Sequence, residues 1–344
     1  MKPLITQPYR LPAVAGIGVL AITAGLWAVT TGPTAITLAE ALRATLSGWF
    51  KAGPAAETGL AQTIVFDIRL PRVVLGLGVG ASLALAGAIF QALFRNPLAD
   101  PGLIGVSSGA ALGAVLAILL GLGAGMAGII PVALAGGLAT AIIVYRLAQV
   151  DGQINLATLL LTGIAINALA GAGIGFAVFL ADDDQLRAIT FWSLGSLAGA
   201  HWQLAAQVGL CLLPLVLLIP KFARTLNALL LGEAEAFHLG IDTRRAKGWL
   251  LTGGALVTAA AVATCGVIGF VGLVTPHLVR LLLGPDHRWL LPACALLGGA
   301  LLVGADLLAR TVAAPAELPI GIVTAALGAP FFLGLLLQTR RHLA

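Results

Sequence analysis

Charge is what this sequence has least of. Only 10% of its 344 residues are Asp, Glu, Lys or Arg, where a soluble domain carries about 25% to keep its surface in water. That shortage excludes a pair of soluble domains, the ordinary reading of this length. Acids are the scarcer sign, 14 Asp and Glu against 19 Lys and Arg. The net charge of +5 comes from short loops and asks for no nucleic-acid partner. The 3 cysteines, Cys211, Cys265 and Cys294, each sit inside an apolar run. None stands at metal-ligand spacing from another, so they read as small buried hydrophobes and no metal or cofactor is expected. There is no H-E-x-x-H, G-x-S-x-G or C-x-x-C, and no Walker-type G-x-x-x-x-G-K-[ST]. The chain therefore offers no catalytic constellation and no loop of that kind to grip ATP phosphates. Gly76-x-Gly78-x-Gly80 imitates one, but it lies within an apolar run and reads as helix packing.

Apolar residues, by contrast, make up 59% of the chain. Ten helices of about 20 residues would place roughly 200 positions in hydrocarbon, close to that fraction. Glycine is the second excess. Its 44 residues are about 13%, against the usual ~7%, and helices in lipid associate through small residues that let backbones approach. The apolar runs fall at 11–31, 73–94, 104–122, 127–145, 156–180, 202–220, 249–269, 272–284, 290–309 and 320–337. The run at 272–284 is short and holds Pro276 and His277. The first run exceeds the 7–15 residues of a signal-peptide core and lacks a clean A-x-A site, so it reads as a retained helix. The expectation is an all-α polytopic membrane protein, one transmembrane domain over residues 1–344. With the N-terminus inside, Arg43, Lys51, Arg69, Arg72, Arg187 and Arg310 are outside and the other thirteen of the 19 Lys and Arg, Lys2 among them, are inside. The positive-inside rule then places both termini in the cytoplasm.

Three stretches outside the spans are long enough for structure. Residues 32–72 form an outer connection, with an amphipathic helix expected over 39–50. Residues 181–200 form a smaller outer segment, opened by Asp182, Asp183 and Asp184, which suit a helix N-terminus. Residues 221–248 form the largest inner loop. Its segment 232–240, from Gly232 through Glu233 and Glu235 to Leu239 and Gly240, suits a short helix closed by a glycine at each end. Asn96-Pro97 and Asp100-Pro101-Gly102 fix a tight reversal between the second and third spans. Similar strings at 104–114 and 320–329 are too dependent on alanine and glycine to establish a repeat.

Polar residues inside the spans are few. Asp306 is the only acid there, and Gln91, Asn155, Asn167 and Thr258 read as glue between helices. Ion-driven pumps carry acid or histidine relays at mid-depth, so a chain without them takes its energy from elsewhere. Arg69 and Arg72 stand just before the second span and Arg310 at the end of the ninth, on the side where the rule disfavours them. Exposed arginines there suit bidentate docking onto a partner's carboxylates, or snorkelling against lipid phosphate. The acidic helix at 232–240 is a docking knob for a cytoplasmic engine, or an idle solvated loop.

Four stretches carry a resemblance: Arg69-Leu-Pro-Arg72, the run from Gln91 to Gly109, Gly269-Phe-Val-Gly272-Leu-Val-Thr-Pro276-His277, and Ala316-Glu317-Leu318-Pro319-Ile-Gly321. From about residue 64 to the C-terminus, in order and spacing, the chain resembles the permeases of ABC importers for iron–siderophores, haem and vitamin B12. The resemblance implies a homodimer with the path on its two-fold axis, two cytoplasmic ATPase subunits and a periplasmic binding protein. It implies a multi-pass protein of the bacterial inner membrane that is not itself an enzyme. It assigns Arg69, Arg72 and Arg310 to the binding protein, and Gly232, Glu233, Glu235, Leu239 and Gly240 to the ATPase. It points along the fifth and tenth spans for the path, to Asn167, Gly171, Pro319, Gly321 and Thr324.

The stretches at 180–187 and 190–196, with Ser107-Ser108-Gly109, are most similar to the haem permeases of that family. A path with few charges also fits a flat apolar cargo. His201 and His277 read as helix-end and packing histidines, since tight axial ligation would slow release. The alternatives are a ferric-siderophore or cobalamin permease and, from another class, an ion-coupled carrier.

Overall fold

Hydrocarbon offers the backbone no hydrogen-bond partner, so each apolar run has to satisfy its own N–H and C=O groups as a helix. The structure is a computed structural model describing residues 4–32, 34–50, 59–122, 126–150 and 153–341. Lys2 and Lys51 lie outside the described residues. In chain order the helices are α1 (Arg10–Thr30), α2 (Leu38–Phe50), α3 (Gly59–Gln62), α4 (Leu70–Leu93), α5 (Val106–Leu119), α6 (Met126–Leu147), α7 (Leu156–Leu180) and α8 (Asp183–Ser193). They continue as α9 (Trp202–Leu217), α10 (Ile219–Leu231), α11 (Glu233–His238), α12 (Thr243–Cys265), α13 (Val271–Leu283), α14 (His287–Val312) and α15 (Ile320–Arg341). A two-residue hairpin, β1 (Gln149–Val150) against β2 (Gln153–Ile154), joins α6 to α7. Each apolar run of the sequence is a helix. Among the described residues six are long and apolar enough to cross a membrane, or seven when the bent pair α9–α10 counts as one. The apolar helices α5 and α13, and Ile320–Gly334 of α15, are shorter.

α4 is the axis. A π-helical stretch, Thr63–Arg69, links it to α3, so the rod Gly59–Leu93 is 35 residues long. α14, α12, α13 and α9 surround it. Gly80 meets the carbonyl of Gly298, and Gly87 that of Gly272, so closely that a Cβ on either would overlap the oxygen. Close backbone approach of this kind replaces the hydrophobic effect as the packing device in lipid, and the Gly76-x-Gly78-x-Gly80 run is spent on it. α7 belongs to the outer layer and turns Leu161, Leu169, Phe176 and Phe179 outward.

The connections depart from the sequence reading in two places. The second span begins at Gly59 instead of residue 73, taking the end of the outer connection into a helix. The stretch 221–248, expected as an inner loop, is mostly helical. α9 bends by 58° into α10, which buries Phe222, Leu226 and Leu229 on one face and leaves Lys221 and Arg224 exposed. The spacing of Phe222, Leu226 and Leu229 is helical, although the sequence reading takes the stretch from Lys221 as loop. α12 begins at Thr243, where Asp242 accepts the Arg245 N–H at 3.0 Å. The acids at 182–184 do open a helix: Asp182 and Gln185 form a reciprocal capping box on α8.

Candidate functional site

α4 carries Arg72 in its first turn and Gln91 in its last, so it measures the distance between two candidate sites at opposite ends of the bundle. At the first end Arg72 is the hub. Its Nε and Nη2 donate to Asp306 of α14 at 3.0 and 2.9 Å, and its Nη1 and Nη2 to Glu317, before α15, at 3.1 and 2.9 Å. Bidentate pairing of this kind is the strongest hydrogen bonding a guanidinium makes. Arg310, one turn beyond Asp306, places Nε 3.7 Å from that carboxylate. The carboxylate expected as a lone intramembrane acid is therefore held between two arginines.

Arg69 and Arg310 were expected to be exposed, and this is corrected: they are 5% and 9% exposed. The reason lies in α1. A helix ends with carbonyls that have no partner within it and that carry partial negative charge. Arg310 donates to the Ala28 carbonyl, while Arg69 donates to Val29 and Thr30 at 2.8 and 3.1 Å and to Thr34 at 2.6 Å. Two arginines distant in sequence thus cap one helix end, a need that local sequence does not advertise.

At the other end the chain leaves α10 through Gly232, at φ +131°, where a side chain would be strained. After α11 it turns at Gly240, φ +81°, with the N–H of Gly240 on Phe237 and that of Ile241 on Ala236. Those paired bonds are a Schellman closure, so the short helix expected between two glycines is present. Glu233 is tied back to Lys247 at 2.5 Å, and that lysine is only 3% exposed. Phe237 and Leu239 point away from the protein, 69% and 63% exposed, and Glu235 is exposed beside them.

The expected path residues fall in two groups. Asn167 of α7 donates from Nδ2 to the Gly102 carbonyl at 3.0 Å, and a Cβ at Gly171, one turn on, would meet nothing. Pro319 precedes a joint in which the Ile320 and Gly321 N–H groups bond to Gly195 and Leu194 at 3.0 and 3.1 Å. Gly321 is seated on the Leu194 carbonyl, and Thr324 is buried with its hydroxyl on Gly321 at 3.2 Å. α7 packs on α5, α6 and the turn Pro101–Ile104, whereas α15 packs on α13 and α14. The two groups therefore rest on different neighbours among the described residues.

The other polar residues are structural. Asn155 caps α7 through the Thr158 N–H at 3.0 Å, and Thr258 bonds back to Gly254 at 2.7 Å. Gln91 accepts from Arg280, a contact the sequence reading missed. His277 is buried with its ring edge-on to Phe331, centroids 6.0 Å apart, while His201 lies 3.0 Å from the Gly199 carbonyl. No group of three His, Cys, Asp or Glu able to hold a metal occurs among the described residues.

Comparison with known proteins gives these sites a context. Residues 20–338 match the FecCD transport family. Over 287 residues the chain is 51% identical to the hemin transport system permease protein HmuU of Yersinia pestis, covering 81% of this chain and 84% of that one. Over 277 residues it is 50% identical to the cobalamin import system permease protein BtuC of Halobacterium salinarum, covering 80% and 74%. A solved inward-facing metal-chelate type ABC transporter superposes with a TM-score of 0.83 at 32% identity, over 95% of this chain and 99% of that one.

Proposed function

The chain belongs to the FecCD transport family, and from that premise we propose that its cargo is haem. It is a permease subunit of an ABC importer, a multi-pass membrane protein and not itself an enzyme. In our reading ten helices cross the bacterial inner membrane with both termini in the cytoplasm, α9 with α10 forming one of them. The inward excess of Lys and Arg supports that orientation. Two copies enclose the path, each contributing the Asn167–Gly171 face of α7 and the segment from Pro319 through Gly321 to Thr324.

The arginine end faces the periplasm and receives the binding protein over the Arg72 clasp; because Arg69 and Arg310 are buried as caps of α1 and Arg72 is paired with Asp306 and Glu317, docking through those three side chains requires the clasp to open. Gly232, Glu233, Glu235, Leu239 and Gly240 frame the knob that enters the partner ATPase. ATP binding and hydrolysis there rock the bundle between outward and inward access. Asp306, near the outer end of α14, is not free to do this, since it is consumed by Arg72 and Arg310.

The observation that carries the cargo is the 51% identity to a hemin permease across four fifths of the chain. The cobalamin permease at 50% favours a second reading, import of a corrinoid. The test is ATPase activity of the reconstituted permease–ATPase complex with its binding protein empty, haem-loaded, cobalamin-loaded or ferric-siderophore-loaded. A rise specific to haem, with haem appearing inside proteoliposomes, is expected. Uptake of cobalamin with indifference to haem would replace the cargo and keep the permease.

A further inference from the structure

Where α9 bends into α10, a hollow of about 440 Å³ opens against the start of α14. Ile219, Pro220, Ala223 and Arg224 line it from α10, and Arg288 and Pro292 from α14. Both arginine side chains are exposed, and neither is in an ion pair among the described residues. Asp286, the acid nearest in sequence, is already engaged: it accepts from the Asn227 side chain at 2.7 Å and the Arg288 N–H at 3.0 Å. Lys221 of α10, one helical turn before Arg224, brings the exposed cations around the hollow to three. α9 leads into this hollow with Leu210, Leu213, Val216 and Leu217 turned outward.

Two guanidinium groups across one hollow form a fork for a phosphate. An uncovered leucine face running from it suits acyl chains, and basic pockets between helices at the cytoplasmic surface are where anionic headgroups settle. We propose that this hollow holds the phosphate of an anionic phospholipid of the cytoplasmic leaflet, with its acyl chains along α9. The proposal rests on the orientation given above, which puts α10 in that leaflet. An acidic protein partner is the weaker match, because the walls of Ile219, Pro220 and Pro292 continue into an apolar helix face and not into water. Since α10 leads directly into α11, a lipid seated here braces the angle at which the knob is presented.

The test uses the whole permease–ATPase complex, without nucleotide or cargo, in phosphatidylcholine nanodiscs doped with phosphatidylglycerol. Native mass spectrometry after gentle extraction reads the lipid that stays bound. One phosphatidylglycerol per permease chain is expected. The double variant R224Q/R288Q should lower retention about thirtyfold, the worth of two interfacial cations, while R224K/R288K keeps most of it. Equal retention of phosphatidylcholine, or no difference between the double variant and the unaltered chain, would overturn the proposal. Unchanged lipid retention with loss of the ATPase subunit would assign the hollow to that protein instead. If the glutamine variant does not fold, a photoactivatable phosphatidylglycerol on the unaltered complex decides. Adducts on α10 and the first turns of α14 support the site, and adducts confined elsewhere remove it. Adducts there from lipid supplied only to the outer leaflet would overturn the orientation, and the proposal with it. Failure of the haem assignment leaves all these readouts unmoved.

Discussion

The two ends of α4 are built on opposite rules. At the Arg72 end charged side chains are folded inward: Arg69 and Arg310 cap α1, and Arg72 clasps Asp306 and Glu317. At the α11 end apolar side chains are turned outward, with Phe237 on the short helix and Leu239 at its C-cap, between two glycines whose backbone conformations a side chain would strain. Buried charge needs its partners within the chain, or it costs several kcal/mol. Exposed large hydrophobes on a rigid projection are more economical if something else covers them. The first end is thus a clasp among α1, α4 and α14, and the second leaves apolar side chains uncovered in the single chain.

The sharpest way to break this contrast is Asp306→Ala. It leaves Arg72 and Arg310, both nearly buried, without their shared carboxylate, and removing one partner of a buried pair costs about 3–5 kcal/mol. A large fall in the thermal unfolding midpoint in detergent is expected. A fall worth less than about 1 kcal/mol would mean that water reaches these guanidinium groups, and the clasp would be no different from a surface pair. At the other end, Phe237→Ala with Leu239→Ala should leave that midpoint unchanged. It should weaken ATPase-subunit binding about tenfold or more, as expected for apolar anchors of an interface. A shifted midpoint with normal binding would make α11 part of the core.

Glu233 and Glu235 test where the boundary between the two rules runs. They look equivalent in sequence, but only Glu233 meets Lys247, which is 3% exposed. Glu233→Gln should therefore destabilise by about 1–3 kcal/mol, the cost of leaving a buried polar group poorly partnered, whereas Glu235→Gln should not. Equal effects on unfolding would remove the distinction. Charge reversal at the pair is thus a poor probe of coupling, because one of the two acids holds the knob to α12.

How much of this was legible depended on whether the cause was local. Asp182 with Gln185, and Gly232 with Gly240, announce helix ends within a few residues, and both were readable. α10 is equally local, with Phe222, Leu226 and Leu229 at helical spacing, yet it falls in the stretch the sequence reading takes as loop. The burial of Arg69 and Arg310 was not legible, because the carbonyls they serve are 35 to 40 residues away for Arg69 and 282 away for Arg310. The sequence places those arginines at the correct end of the bundle. It does not reveal that α1 ends beside them.

The smallest expected effect concerns α2, which follows the clasp on the Arg72 side. Thr37 and Glu40 form a capping box: the Thr37 N–H and hydroxyl donate to the Glu40 carboxylate at 2.8 and 2.7 Å, and Thr37 Oγ1 accepts the Glu40 N–H at 3.3 Å. The Thr37 backbone donor, helped by its hydroxyl and by Arg43, holds the Glu40 carboxyl below its ordinary value. A carboxylate whose folded value lies below its unfolded one stabilises its helix above the unfolded value. That stability is lost as pH falls through the folded value. α2 should accordingly loosen on acidification below the ordinary carboxylate range, and Glu40→Gln should flatten the dependence. Trp49 reports it, since its ring packs 5.8 Å from Phe66 and 5.6 Å from Trp202. A Trp49 emission shift at acid pH that survives Glu40→Gln would place the titrating group elsewhere. A flat profile in the unaltered protein would mean that α2 is held by its aromatic contacts and not by its cap. The rule of inward charge would then stop at the clasp, and α2 would belong with the apolar surfaces of the opposite end.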